Sequence, residues 1–309
     1  MKRYLWMSLT ILTGFLLAAC ATTGPERVLS VMVPAGSPAL AQLHVQADAE
    51  SYSVDVVNGS DPLVAAFGSG SHDVIFAPTN LGAKLYASGC GYLFAGAVVW
   101  GNYYLVAKTA AEFTLASLEG KTVVVFGQNQ TSDIILRHIL SENGVGANLT
   151  YVDSVATATA QFLADDSLVI LSAEPSLSTL EGQVDGLKVI DLQDAYADLT
   201  GSDSYPQAGV FVKSDLDPRL AEAFLADLSA SVERVNENVE EASDLAVSLG
   251  YGFSRSVLIS AIPNSHLAFV SAADSRTAVE AYFTMILGYA PALIGNALPD
   301  DGFYLSPQE

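Results

Sequence analysis

Short apolar runs that alternate with helix-like segments are the feature that most limits how this chain can fold. The runs VLSVMV (28–33), DVIFA (73–77) and KTVVVF (121–126) are each followed by a loop and then by a segment with helical periodicity. Strands separated by helices tend to pair in parallel and to be covered by helices on both faces. The pattern therefore predicts an α/β fold, and 309 residues suffice for two domains of ordinary size.

The alternation restarts part of the way along the chain and later gives way to helices. We therefore expect a first lobe of residues 28–107 together with 214–309, and a second lobe of residues 108–213. Each lobe is predicted to be a mostly parallel sheet flanked by helices, and the two segments that cross between the lobes would form a hinge. Gly101-Asn102, between two apolar strands, is compatible with a tight turn.

The N-terminus carries the pattern of an export signal. Lys2 and Arg3 precede an apolar stretch over about 5–17 that is shorter than the ~20 residues needed to cross a bilayer. The following Leu17-Ala18-Ala19-Cys20 resembles the lipobox of bacterial lipoprotein precursors, whose cysteine is lipidated and becomes the mature N-terminus. Residues 1–19 are thus predicted to be a lipoprotein signal peptide and Cys20 the site of a palmitate-bearing lipid anchor. Residues 20–27 would be a tether on the extracytoplasmic face of the membrane. An ordinary N-terminal helix is the alternative.

The charge and the scattered histidines exclude several function classes. The formal net charge is −21, and such an acidic chain would be repelled by the phosphates of nucleic acid. The four histidines form no metal-binding spacing, and no nucleophile elbow, phosphate loop or dinucleotide fingerprint occurs. We therefore expect no catalytic residues, no metal, no cofactor and no enzyme activity.

Three loops that follow a strand and open a helix supply candidate ligand contacts: PAGSP (34–38), APTN (77–80) and GQNQTSD (127–133). In open α/β sheets ligands bind at the carboxyl ends of strands, where helix N-termini offer unpaired N–H groups. Turn and capping roles would explain each loop by itself, but their recurrence in both lobes favours a shared cleft. The candidate contacts are Ser37, Thr79, Asn80, Trp100 and Asn102 from the first lobe and Gln128, Asn129, Thr131, Glu174 and Tyr205 from the second.

Three of these candidates also have a structural explanation. Trp100 stands at a strand end, where it could belong to the core. Glu174 precedes a proline at a helix start, where a carboxylate interacts favourably with the helix dipole. Tyr205-Pro206 could simply shape the hinge. Sequence position alone leaves both roles open for each of the three.

The order of the motifs resembles a known group of proteins. The most specific element is residues 115–140, LASLEGKTVVVFGQNQTSDIILRHIL, which is similar to a strand–loop–helix element of the substrate-binding lipoproteins of ABC importers. The branch concerned contains nitrate, sulfonate/taurine and thiamine-precursor binders. Supporting segments are APTNLGAKLY (77–86), WGNYYLV (100–106), SAEPSLSTL (172–180), YPQAGVFVKSDL (205–216) and LIGNALPDDGFYL (293–305). The resemblance implies a type 2 periplasmic-binding fold whose two lobes close on a small molecule. It also implies a monomer that delivers this ligand to a permease with a cytoplasmic ATPase.

The chemistry of the ligand is open between two classes. The candidate loops contain no arginine, so a bidentate guanidinium clamp for a carboxylate or phosphate is not evident. The aromatic residues Phe76, Trp100, Tyr104 and Tyr205, with Glu174 and the amides, favour a nitrogenous heterocycle similar to the thiamine pyrimidine over a sulfonate. Two other functions are open as well. One is a ligand-sensing lipoprotein coupled to a receptor; the other is a fold-related biosynthetic enzyme, against which the predicted export signal argues.

Overall fold

The computed structural model describes residues 27–108 and 112–306. The predicted signal peptide, the lipidation site Cys20 and the tether up to residue 26 lie outside the described residues. Within the described ranges, no helix is both long enough and apolar enough to cross a bilayer.

Strands and helices alternate along most of the chain. The strands are β1 (Leu29–Pro34), β2 (Tyr52–Val57), β3 (Val74–Pro78), β4 (Tyr92–Trp100), β5 (Tyr103–Ala107), β6 (Thr122–Phe126), β7 (Asn148–Val152), β8 (Val169–Ala173), β9 (Lys188–Asp191), β10 (Pro206–Lys213) and β11 (Leu267–Ser271). The α-helices are α1 (Ser37–Ala41), α2 (Leu43–Ala47), α3 (Asp61–Ser69), α4 (Thr79–Ala87), α5 (Thr131–Glu142), α6 (Val155–Ala164), α7 (Ser176–Glu181), α8 (Leu192–Thr200), α9 (Pro218–Glu237), α10 (Val239–Ser248), α11 (Arg255–Asn264) and α12 (Ala272–Tyr289). Short 3₁₀ turns cover Leu115–Leu118, Pro291–Ile294 and Asp301–Phe303.

The strands form two sheets, each the centre of one α/β unit. The first sheet has the order β11-β4-β10-β3-β1-β2 and the second the order β7-β6-β8-β5-β9. In the first sheet β1 is parallel to β2 and β3, and in the second β6 is parallel to β7 and β8. The predicted two-lobed α/β class is confirmed, but the sheets are mixed. β10 and β5, which each enter directly from the other unit, run antiparallel to their neighbours, and β11 at the edge of the first sheet runs antiparallel to β4.

The chain passes from the first sheet to the second between β4 and β5, and it returns between α8 and β10. Gly101-Asn102 therefore link strands of different sheets and do not form the predicted tight turn. β5 lies in the second sheet and β10 lies in the first. The predicted lobe bounds at residues 108 and 213 would have placed β5 in the first lobe and β10 in the second. Hydrogen-bond pairing decides this membership, and the apolar pattern of a strand does not encode its partner. Movement of the two units as lobes stays a prediction.

An aromatic cluster packs the first sheet against the C-terminal segment. The rings of Phe94 on β4 and Phe303 are stacked with centroids 5.5 Å apart, and Phe211 on β10 lies 5.6 Å from Phe94. Gly82 of α4 faces this cluster so closely that a Cβ atom there would lie 1.9 Å from Cζ of Phe211. The absence of a side chain at residue 82 is what allows α4 to pack on β10.

Candidate functional site

A cavity of about 260 Å³ lies between the two units, at the carboxyl ends of the parallel strands. Its wall includes residues that follow β1, β2, β6, β7 and β8, the last residue of β3, and residues beside both chain crossings. Larger grooves of about 870 and 690 Å³ lie elsewhere, one against α5, α8 and α12 and the other against α9 and β4. Only the 260 Å³ cavity among these three has the position at strand ends that ligand sites of open α/β sheets occupy, so we take it as the candidate site.

Three predicted contacts, Ser37, Asn102 and Glu174, line the cavity and form one hydrogen-bonded network. Nδ2 of Asn102 donates to the Ser37 hydroxyl at 2.5 Å, and the Glu174 backbone N–H donates to Oδ1 of Asn102 at 2.8 Å. The Ser37 hydroxyl donates in turn to the backbone carbonyl of Glu174 at 3.3 Å. All three residues are buried. The network therefore joins the start of α1, in the first unit, to the connection between β8 and α7 in the second.

Glu174 is the buried acid of the cavity wall, with 3% exposure. Its Oε2 accepts from the Ser178 N–H at 3.1 Å and its Oε1 from the Ser178 hydroxyl at 3.0 Å. Burial raises the pKa of Glu174 to about 7; the hydrogen bonds from Ser178 oppose this rise, and the nearby charge of Glu181 adds to it. The wall also contains the exposed Asp153, but no lysine or arginine of the described residues. This charge distribution favours a neutral or cationic ligand.

Three other predicted contacts, Asn80, Asn129 and Thr131, lie outside the cavity wall and join the units at a second place. Nδ2 of Asn80 donates to the backbone carbonyl of Asn129 at 3.2 Å, and the Thr131 hydroxyl lies 3.3 Å from Oδ1 of Asn80. The same hydroxyl is 3.2 Å from the backbone carbonyl of Gln207 on β10. These bonds hold the N-terminus of α4 beside the N-terminus of α5.

The remaining predicted contacts, Thr79, Trp100, Gln128 and Tyr205, are also absent from the cavity wall. Thr79 is fully buried in the first turn of α4, and Gln128 is exposed to solvent. Trp100 donates from Nε1 to the Ala268 carbonyl at 2.9 Å, and the fully buried Tyr205 donates to Oε1 of Gln193 at 2.7 Å. For Trp100 and Tyr205 the structural explanation is therefore the one that the observed contacts support.

The cavity wall also contains residues that the sequence analysis did not select: Tyr103, Phe126, Gln130, Ser132, Ser154, Ser176, Gln207 and Phe253. Gln130 lies within the predicted loop GQNQTSD, and Ser154 accepts the Thr157 N–H as the N-cap of α6. The strand–loop–helix rule, applied to every residue of each loop, would have found both. Gln207 lies inside a strand, and no local signal marks it as a cavity residue.

Comparison with solved structures agrees with this architecture. A structure described as an ABC transporter from Parabacteroides distasonis has a TM-score of 0.79 and 25% identity, covering 91% of this chain and 99% of that chain. The alkanesulfonate-binding protein SsuA from Xanthomonas axonopodis pv. citri, bound to MOPS, has a TM-score of 0.68 and 17% identity, covering 88% and 96%. The periplasmic aliphatic sulphonate binding protein SsuA from Escherichia coli has a TM-score of 0.64 and 17% identity, covering 93% and 96%.

These similarities define the class of protein. The fold is that of periplasmic binding proteins, and the resemblance to substrate-binding proteins of ABC importers is confirmed. Residues 94–257, slightly more than half of the chain, match the family model described as menaquinone biosynthesis, and the chain belongs to that family. The matched region contains the whole second sheet. No curated protein matches the chain.

Proposed function

We propose that this protein is an extracytoplasmic solute-binding lipoprotein that captures a small nutrient and delivers it to the permease of an ABC importer. The observation that carries the proposal is the cavity between the two units, whose wall both units supply at strand carboxyl ends. The lobes of this proposal are the two units, and the hinge is formed by residues 101–102 and 201–205. A lipid anchor on Cys20 would keep the protein beside its transporter.

The ligand that fits this wall best is a neutral or cationic nitrogenous heterocycle, with a sulfonate as the alternative. The rings of Tyr103, Phe126 and Phe253 offer flat apolar surfaces, and Glu174 and Asp153 offer acceptors and negative charge. A sulfonate would meet no cationic side chain among the described wall residues. The N-termini of α3, α5 and α6 would attract it by only about 0.3–1 kcal/mol each. Because the fold is similar to that of sulfonate-binding proteins, the binding experiment includes a sulfonate as well.

Calorimetry on the delipidated protein tests the proposal. An aminopyrimidine should bind, whereas taurine and nitrate should give little heat. Asn102→Ala should weaken binding because it disconnects Ser37 from Glu174. Gln128→Ala is the matched control, since Gln128 is an exposed amide outside the wall. Binding of taurine with no binding of the aminopyrimidine would reject the heterocycle. An Asn102→Ala variant that binds like the parent would reject this cavity as the site.

The family match favours a second candidate function, a biosynthetic enzyme. Its family model is described as menaquinone biosynthesis, and Glu174, with a pKa of about 7, is suited to proton transfer near neutral pH. Mass spectrometry separates the two functions. A binding protein releases the captured solute with its mass unchanged, whereas an enzyme releases a product. A product that forms with the parent and not with Glu174→Gln would favour the enzyme.

A further inference from the structure

The two units touch at a second place beside the cavity, and the side-chain amide of Asn80 lies at its centre. Asn80 is the second residue of α4 in the first unit and is 2% exposed. Its Nδ2 donates to the Asn129 carbonyl of the second unit at 3.2 Å and lies 3.4 Å from the Leu293 carbonyl of the first. Its Oδ1 lies 3.3 Å from the Thr131 hydroxyl of the second unit. One buried amide therefore hydrogen bonds to both units.

The neighbours of this amide fix its orientation. Turning it around would point Oδ1 at the carbonyl oxygens of Asn129 and Leu293, which cannot donate. The Thr131 hydroxyl has two acceptors, Oδ1 of Asn80 at 3.3 Å and the Gln207 carbonyl on β10 at 3.2 Å. Both acceptors belong to the first unit, so this hydroxyl donates from one unit to the other in either case. Asn80, Asn129, Thr131 and Gln207 are called the Asn80 contact below.

The second unit presents its side of the contact from a fixed loop. Asn129 has a φ of 61°, a left-handed conformation that asparagine adopts more readily than most residues. Its backbone N–H donates to Oδ2 of Asp133 at 2.8 Å. Asp133 is fully buried, and its carboxylate also accepts from Arg137 at 3.0 Å and from the Tyr151 hydroxyl at 2.9 Å. The Asn129 carbonyl is therefore held in the direction from which Asn80 donates to it.

The Asn80 contact is next to the cavity without facing it. Asn80, Asn129 and Thr131 lie outside the cavity wall, whereas Gln130 and Ser132 on either side of Thr131 belong to the wall. The hydrogen bonds of the contact exist only while the N-termini of α4 and α5 are together. Moving the units apart would break these bonds and leave the bonds within each unit in place. The contact therefore favours the arrangement that encloses the cavity, whatever the cavity holds.

We propose that Asn80 is a positioning residue, which holds the two units together around a captured solute without touching that solute. The inference rests on the proposed capture of a solute between the units. A residue that acts only on the closed arrangement changes the affinity for every solute by the same factor, because the fraction of closed protein multiplies each affinity. Loss of the contact should therefore weaken all binding without changing which solute is preferred.

Calorimetry with two probes tests this expectation, and the probes are an aminopyrimidine and its N-methylamino analogue. Asn80→Ala should bind both probes about tenfold more weakly than the parent, which is the effect of about one buried hydrogen bond. The ratio of the two affinities should stay that of the parent. Asn143→Ala is the matched control, because Asn143 is an exposed amide at the opposite end of α5, and it should bind both probes as the parent does.

Two variants of the second unit separate the backbone of the contact from its side chains. Thr131→Val has nearly the same shape and lacks the hydroxyl, so it should weaken both probes as Asn80→Ala does. It also replaces Asn80→Ala in the test if that variant does not fold. Asn129→Gly keeps the carbonyl and tolerates the positive φ, so it should bind like the parent. Weakened binding by Asn129→Gly, or a changed ratio of the two affinities in Asn80→Ala, would overturn the inference, because these side chains would then contact the solute.

Solution scattering supplies a readout that a role within one unit would not change. Without solute, Asn80→Ala should have a larger radius of gyration than the parent, and saturating aminopyrimidine should remove the difference. An unchanged radius in both Asn80→Ala and Thr131→Val would overturn the inference, even if the variants melt at a lower temperature. This measurement needs no solute. A parent protein that retains no solute from a nutrient extract would therefore argue against the proposed function, while scattering would still decide the role of Asn80.

Discussion

Replacement of Glu174 by glutamine should stabilise the unliganded protein at alkaline pH and not at acid pH. The pKa of this carboxyl is raised from an ordinary value of 4.5 to about 7, mainly by burial. Between these pH values the folded protein holds a proton that the unfolded chain releases. The resulting stabilisation is complete below the unfolded pKa and is lost as the pH rises through 7. Glutamine is neutral throughout, so it avoids this loss.

The size of the effect follows from the same two pKa values. One pKa unit corresponds to about 1.4 kcal/mol, so the buried carboxylate costs about 3 kcal/mol at pH 8. The glutamine side chain has a single acceptor oxygen, so one of the two hydrogen bonds from Ser178 is weakened in the variant. This loss of about 1 kcal/mol offsets part of the gain from removing the carboxylate. A net gain of about 2 kcal/mol corresponds to a rise in melting temperature of about 4–8 °C.

Thermal unfolding of the parent and Glu174→Gln between pH 4 and pH 8 measures this difference. Glu174→Gln should melt about 2–4 °C below the parent at pH 4, where only the weakened hydrogen bond counts, and the difference should change sign as the pH passes through 6 and 7. Glu237→Gln, at the exposed end of α9, is the matched control and should show no such change of sign. If Glu174→Gln is no more stable than the parent at pH 8, or is stabilised equally at both pH values, the cavity does not disfavour a negative charge at this position.

Three further predictions concern packing, the network between the units and the anchor. Gly82→Ala should destabilise the protein by about 1–3 kcal/mol in chemical denaturation, because its Cβ would collide with a buried phenylalanine ring. The control is Gly68→Ala, in an exposed helical position with open space around it, which should be neutral or stabilising in the same measurement. Asn102→Ala removes two buried hydrogen bonds and should lower the free energy of unfolding by about 2–4 kcal/mol. The control Asn58→Ala, at an exposed residue, should stay within about 0.5 kcal/mol of the parent. Equal losses in the two variants would show that the network does not stabilise the fold. Cys20→Ser should abolish labelling of cells with a palmitate analogue, and undiminished labelling would refute the anchor.

Local elements of this fold could be predicted from the sequence because their signals are local. An apolar run such as 121–126 ends at glycine and polar residues, and the structure places β6 at Thr122–Phe126. The rule that ligands bind where such strands end also located part of the candidate site. Ser37, Asn102 and Glu174 line the cavity because each lies next to the end or start of a strand.

Only the tertiary structure decided which sheet receives β5 and β10 and which polar residues face the cavity. Both properties depend on pairing between segments that are far apart in the chain, and the same apolar strand can pair in either unit. Trp100 and Tyr205 have the residue type of ligand contacts, yet Trp100 hydrogen bonds to β11 and Tyr205 is buried between the rings of Tyr103 and Tyr196. Gln207, by contrast, lies in the wall although it belongs to a strand. A side chain's neighbours across the cleft are set by how the two units pack, and the order of residues in one segment does not contain that information.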